Sequence, residues 1–204
     1  MPEFSFAVTG VAPVPFAAVP QLAFDLAIAS DAPVRNLALQ VQVQLEPVRR
    51  RYTPDEQRRL VDLFGEPSRW GETLQTMLWT HVALHVAAFD ARTVAQILVP
   101  CTFDFNVATT KYLHGLEAGD VPLRFLFSGS VFYEADGRLQ MTQLSWSSEA
   151  TFRLPVSVWR ELMDQHYPGS AFLHVRRDVF DRLLQYKAEG GFATWEQTFE
   201  RLLT

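Results

Sequence analysis

Residues 37–45 alternate without a break, with Leu37, Leu39, Val41, Val43 and Leu45 on one side and Gln40, Gln42 and Gln44 on the other. Successive side chains of a strand point to opposite faces, so this stretch reads as a strand with one dry and one wet face. Such a strand belongs in an antiparallel sheet, because a parallel sheet covered on both sides shows unbroken apolar runs. The rest of the chain must supply whatever lies over the dry face. The same period recurs in Phe4, Phe6 and Val8, and again in Leu22, Phe24, Leu26 and Ile28. Further strand-like runs occupy 79–89 and 97–105. Residues 122–133 and 139–146 read as a hairpin about Asp136-Gly137, a dipeptide suited to a tight two-residue turn. A short strand follows near 151–154.

Helical signals interrupt this pattern at defined places. Thr53-Pro54-Asp55-Glu56 is a capping box with proline at the first helical position, predicting a helix to Leu63 or Phe64 that Gly65 ends. Asn106 is expected to cap a short helix through Ala108, Tyr112 and Leu113. The last quarter predicts helices over 155–166 and 178–188, and a final one opened by Thr194 with Gln197 three residues on. Trp159, Leu162, Met163 and Tyr167 fall near helical spacing, as do Trp195, Phe199, Leu202 and Leu203. Both stripes are read as core; if either lies exposed, it becomes a surface for a partner. The expected fold is α+β: a largely antiparallel sheet, one inserted helical segment, and a helical C-terminal quarter packed against it. With no linker, repeat or low-complexity stretch, residues 1–204 are expected to form a single α+β domain.

Composition removes several function classes. A net charge of −5 does not fit a nucleic-acid partner, which needs a positive field over one face. The basic run Arg49-Arg50-Arg51 is short, precedes Asp55 and Glu56, and reads as a solvated strand end. Sixteen phenylalanines point to an aromatic-rich core. Met1-Pro2-Glu3-Phe4 has no basic stretch followed by an apolar run, and no window reaches the ~18 apolar residues that span a bilayer. A cytoplasmic location without membrane insertion is therefore expected. Cys101 is the only cysteine, so no intrachain disulfide or thiolate-rich metal site can form.

The catalytic motifs sought are missing from the sequence. His81 and His85 would share a helical face at about 6 Å, but their segment is strand-like, which sets them about 13 Å apart, too far for one ion. No glycine-rich phosphate loop is present, and Gly129, within a strand pattern, reads as a bulge or a close backbone approach. No carboxylate spacing favours glycoside chemistry. Cys101 with Asp104, Lys111 and His114 would be the one place for an unfamiliar enzyme site. No catalytic, metal-binding or cofactor-binding residue is assigned, and no cofactor is expected.

Several stretches carry a family resemblance: 63–71 (Leu63 to Gly71, through Arg69 and Trp70), Leu78-Trp79-Thr80-His81, Phe103-Asp104-Phe105-Asn106, Thr110-Lys111-Tyr112, 122–129 and Thr194-Trp195-Glu196-Gln197. Together they resemble an uncharacterised bacterial family known by a domain-of-unknown-function label, whose genes lie beside those of the actinobacterial-type, high-affinity NiFe hydrogenase. The resemblance implies a non-catalytic accessory protein for hydrogenase assembly or maturation, in contact with hydrogenase subunits or maturation proteins. It supplies no catalytic residues. Arg69, Trp70, Phe103, Phe105 and Tyr112 are the candidate partner-binding residues, with packing of the 106–116 helix as their competing role. A chaperone-like binder of unfolded chains is the alternative non-enzymatic reading.

Overall fold

The alternating stretch is the centre of the fold. In a computed structural model that describes residues 2–145 and 147–204, it lies within strand β3 (Val34–Leu45), whose Leu37, Leu39, Val41, Val43 and Leu45 are all buried. Trp146, the expected end of the hairpin, and Met1 lie outside the described residues. β3 pairs antiparallel with β4 (Met77–Val86) on one side and β6 (Asp120–Ala135) on the other, so that Val41 stands opposite both Val82 and Phe127. The free side of the long β6 takes β7 (Arg138–Gln143) near one end and β8 (Glu149–Pro155) near the other. β1 (Phe4–Pro13), β2 (Gln21–Ser30) and β5 (Arg92–Pro100) form a second antiparallel sheet in the order β1-β2-β5.

What covers the dry face of β3 is thus the second sheet. Phe24 of β2 meets Phe125 of β6 edge-on at 5.3 Å between ring centroids, Phe152 of β8 at 5.9 Å and Trp79 of β4 at 6.3 Å. Phe6 of β1 stacks on Phe127 of β6 at 4.5 Å. Two antiparallel sheets with interleaved inner faces share one core, each fully buried large side chain contributing about 1.5–3 kcal/mol. The α+β class holds, with the antiparallel strands divided between two sheets.

Local chemistry sets the breaks. Asp136 and Gly137 stand at φ 53° and 68°, the pair of positive values that a tight two-residue hairpin turn requires between β6 and β7. Gly129, at φ 145°, lies so close to β3 that a Cβ there would sit 1.9 Å from the Ala38 carbonyl oxygen, which is the close backbone approach its place in a strand pattern predicts. The inserted segment between β3 and β4 holds α1 (Pro54–Arg59), α2 (Val61–Phe64) and α3 (Trp70–Thr73), with single 3-10 turns at Pro47–Arg49 and Pro67–Arg69. Thr53 and Glu56 form the expected capping box, and Gly65 ends α2 at φ 75°. The single helix predicted there is interrupted at Leu60, which leaves helical geometry at φ −97°, ψ 1° and is itself buried. Phe103 and Phe105 fall in a turn beyond the end of β5, not in the predicted strand.

Asn106 accepts from the Thr109 N–H and caps α4 (Val107–Gly115). Pro155 precedes α5 (Val156–His166), whose Trp159, Leu162 and Met163 are buried as expected, and which packs on β1, β2, β8 and α4. The chain divides into two compact units, the first ending at Gly169 and the second spanning Ser170–Thr204. The second holds α6 (Arg177–Glu189) and α7 (Trp195–Leu203). The Lys187 ammonium donates to the carbonyls of Phe192 and Ala193 at 2.7 and 2.9 Å, tying the connection to α6. Thr194 caps α7, while the Gln197 carboxamide oxygen accepts from Ala193, one residue before the cap.

Candidate functional site

The inserted helices hold a closed group of aromatic rings. Tyr52 meets Trp70 edge-on at 5.1 Å, Phe64 meets Trp70 at 5.8 Å and Tyr112 at 5.9 Å, and Tyr52 lies 6.4 Å from Tyr112. Trp70 donates its indole N–H to the Gly65 carbonyl at 2.8 Å. Tyr52 donates to the Pro47 carbonyl at 2.8 Å, which leaves the Tyr112 hydroxyl to donate to Tyr52 across 2.9 Å. Burial, with Tyr112 alongside, raises the Tyr52 phenol well above its ordinary range, and burial pushes Tyr112 up to about 12. Both stay neutral near pH 7. Trp70 and Tyr112 are therefore brought together, but as buried packing with their polar atoms satisfied.

Beside the rings, Arg50 and Glu56 are paired at 2.5 Å with side chains only 8% and 2% exposed. Arg50 also donates to the carbonyls of Asp120 and Ala118 at 2.8 and 2.6 Å, and its guanidinium lies 5.7 Å from the centre of the Tyr52 ring. Burial alone would raise the Glu56 carboxyl. The N–H groups of Glu117 and Thr53, followed by Arg50, outweigh it and hold the group below the usual carboxylate range. The solvated strand end expected of the arginine run is thus corrected at Arg50, which locks β3 and α1 to the chain entering β6. The signal was present in Glu56, but nothing local in the sequence shows that Arg50 turns inward to meet it.

The remaining candidates lie apart from this group. Phe103 rests on Tyr167 with centroids 4.6 Å apart, whereas Arg69 and Phe105 are exposed. Cys101 is buried, its thiol 3.4 Å from the Val99 carbonyl and pushed up to about 12 by burial. A neutral enclosed thiol is a poor nucleophile. Lys111 and His114 instead line a hollow of about 250 Å³ with Leu60, Leu63 and Asp62, and Lys111 pairs with Asp62 at 3.3 Å. His81 and His85 sit on the exposed face of β4. Among the described residues no three His, Cys, Asp or Glu side chains are grouped as metal ligands would be, and no helix is long and apolar enough to cross a membrane.

The second unit presents a different surface. Phe180 and Leu184, four residues apart on α6, are 40% and 48% exposed, and Leu202 and Leu203 of α7 reach 51% and 87%. Trp195 bridges the helices, 5.5 Å from Phe180 and 5.9 Å from Phe199. The stripe on α7, read as core from its spacing, is corrected to an uncovered face. Only Thr198 is fully buried on α7, and no residue of α6 is. The i, i+4 spacing of Phe180 and Leu184 was the signal for the other half of this face. Isolated apolar residues are ordinary on a surface; a row of large ones on two adjoining helices is the kind of patch that partners cover.

No curated protein matches the chain. Among solved structures, the chain has a similarity to a β-glucosidase from Kluyveromyces marxianus (9% identity, TM-score 0.29, covering 74% of this chain and 15% of that one). Another is β-glucosidase 3B from Thermotoga neapolitana in complex with α-D-glucose (12% identity, TM-score 0.28, 74% and 17%). The chain thus spans less than a fifth of those enzymes' length. The match that covers all of it is to a family model, over residues 1–204: the chain belongs to a family of unknown function, DUF6084.

Proposed function

We propose that the protein is a non-catalytic accessory factor of the cytoplasm that supports assembly or maturation of an actinobacterial-type NiFe hydrogenase through protein–protein contacts. The observation that carries a binding role is the uncovered apolar face of α6 and α7, with Phe180, Leu184, Leu202 and Leu203 facing solvent. Such a face supplies the dry centre of an interface, and the exposed charges on the same two helices (Arg177, Asp181, Glu200 and Arg201) are the groups available for a polar rim. The hydrogenase as partner comes from the resemblance carried by segments such as 63–71 and 122–129. Arg69 and Phe105 are exposed and remain candidates for a secondary contact, whereas Trp70 and Tyr112 are buried packing. A site at Cys101 is disfavoured by the enclosed, neutral thiol.

Deletion of the gene in a host that makes such a hydrogenase tests the reading. Hydrogenase activity or subunit processing is expected to fall, and to be restored by the wild-type gene but not by a Leu184→Asp/Leu202→Asp variant that folds normally. Normal hydrogenase levels and processing in the deletion strain would sink the proposal. The same apolar face also suits a chaperone-like binder of unfolded chains. That reading requires the purified protein to suppress aggregation of unrelated reduced proteins, which a dedicated hydrogenase factor does not do.

A further inference from the structure

β7 is the last strand of the larger sheet, and its outer edge is open. It follows β6 through the two-residue turn at Asp136-Gly137, with Ala135 opposite Arg138. In a turn of that length the flanking residues exchange both backbone hydrogen bonds, and the bonding side then alternates along the strand. The Leu144 N–H donates to the Gly129 carbonyl at 2.8 Å, which keeps the same parity to the end of the strand. Arg138, Gln140 and Thr142 therefore turn their backbone groups toward β6. Leu139, Met141 and Gln143 turn theirs away, and among the described residues nothing bonds those N–H and C=O groups.

Sheets ordinarily blunt an open edge with a bulge, a proline or charged side chains. β1 shifts register between Val8 and Gly10 and ends at Pro13, while β8 carries Glu149 and Arg153 and ends at Pro155. β7 pairs with β6 without a shift, contains no proline, and has a single charge, Arg138, beside the turn. Its outward-bonding residues are also apolar. Leu139 is 67% and Met141 57% exposed, and Met141 stands opposite the half-buried Phe132 of β6.

Backbone groups offered at this spacing are complementary to another extended strand. We propose that this strand is the β7 of a second copy, running antiparallel about a two-fold axis at Met141, so that two five-stranded sheets join into one. In that register Leu139 faces the partner's Gln143 and Met141 faces its own counterpart, which uses every outward N–H and C=O of the strand. Residues opposite one another share a face, so Phe132 and Met141 of both copies form one apolar row across the seam. The charges suit self-pairing. Arg138 falls opposite the partner's Leu144 and about 20 Å from its own counterpart, at about 3.4 Å per residue, so the two cations do not meet. Glu134, opposite Leu139 on β6, is already paired with Arg35 at 2.5 Å.

Sedimentation and amide hydrogen exchange of the full chain across a concentration series test the pairing. A dimer is expected at high concentration. As it forms, protection of the Leu139, Met141 and Gln143 amides is expected to rise about fivefold or more, the fold-change that one hydrogen bond is worth. Gln140 and Thr142, bonded within the hairpin in either state, are expected to change little. Met141→Pro removes one outward N–H, leaves the ladder to β6 in place, and is expected to be monomeric with the wild-type circular dichroism spectrum. A protein that is monomeric at every concentration overturns the proposal, and so does a dimer that persists in Met141→Pro. Should that variant not fold, the wild-type exchange pattern decides: a dimer whose Leu139, Met141 and Gln143 amides gain no protection is not paired through β7. A dimer that persists in Met141→Pro and is lost in Leu184→Asp/Leu202→Asp would place the contact on α6 and α7 instead. Failure here leaves the hydrogenase reading standing, because Met141→Pro does not touch those helices.

Discussion

Gly129→Ala is the substitution whose cost can be worked out most directly. Gly129 lies in β6 opposite Leu39 of β3, at φ 145°, and its missing Cβ would stand 1.9 Å from the Ala38 carbonyl oxygen and 3.1 Å from the Leu39 Cα. Real contacts of this kind do not fall below 3.0 Å, so the two backbones must part by about 1 Å at the centre of the larger sheet. An L side chain at this φ costs about 1–3 kcal/mol by itself. Loss of two or three ladder hydrogen bonds adds about 1 kcal/mol each. The sum, about 3–6 kcal/mol, is a large share of the 5–15 kcal/mol typical of a folded protein. It lowers the melting temperature by about 6–24 °C at the ~2–4 °C per kcal/mol expected for a chain of this length. Differential scanning calorimetry measures it, with Gly71→Ala as control. Gly71 is in α3 with nothing within 4 Å of its Cβ position, so alanine there is expected to be neutral or to stabilise by up to about 1 kcal/mol. A Gly129→Ala melting point within about 2 °C of wild type would show that β3 and β6 are not in the close register described.

Other substitutions probe the ionic lock and the thiol. Arg50→Met strands Glu56 without its guanidinium and is expected to cost about 3–5 kcal/mol in urea unfolding, against less than about 1 kcal/mol for Arg58→Met, whose pair with Asp55 is exposed. An equal cost for the two would refute the buried pairing. The lowered Glu56 carboxyl contributes stability that is fully present above the ordinary carboxylate pKa of about 4.3 and is lost as pH falls through its lower folded value. Glu56→Gln is therefore expected to flatten the fall in stability below about pH 4, and an unchanged acid slope would remove Glu56 from that role. Cys101, enclosed and neutral, is expected to react with a thiol reagent at pH 7 no faster than the protein unfolds. Rapid labelling of the native protein would reopen a catalytic reading of that residue.

What was legible in the sequence was whatever neighbours along the chain decide. The dry face of β3, the Thr53–Glu56 box, the Asn106 cap and the Asp136-Gly137 turn each depend on residues within one turn or one strand, and each stands where its residues place it. Alternation shows that one face of β3 is dry, but not that Phe24 from another sheet will lie over it; one expected sheet thus became two. Arg50 was misread for the same reason. Its charge and its two arginine neighbours argue for solvent, and its burial becomes tenable through Glu56 together with the carbonyls of Ala118 and Asp120, some seventy positions away. The apolar stripes of α5 and α7 share one periodicity and meet opposite fates. Leu162 is fully buried beneath the sheets and Leu203 is almost wholly exposed, because periodicity reports that a face is apolar and says nothing of what covers it. A fold built to satisfy itself would have no use for the second stripe. Its exposure on a unit in which only Thr198 is buried is the observation on which the binding role proposed for α6 and α7 rests.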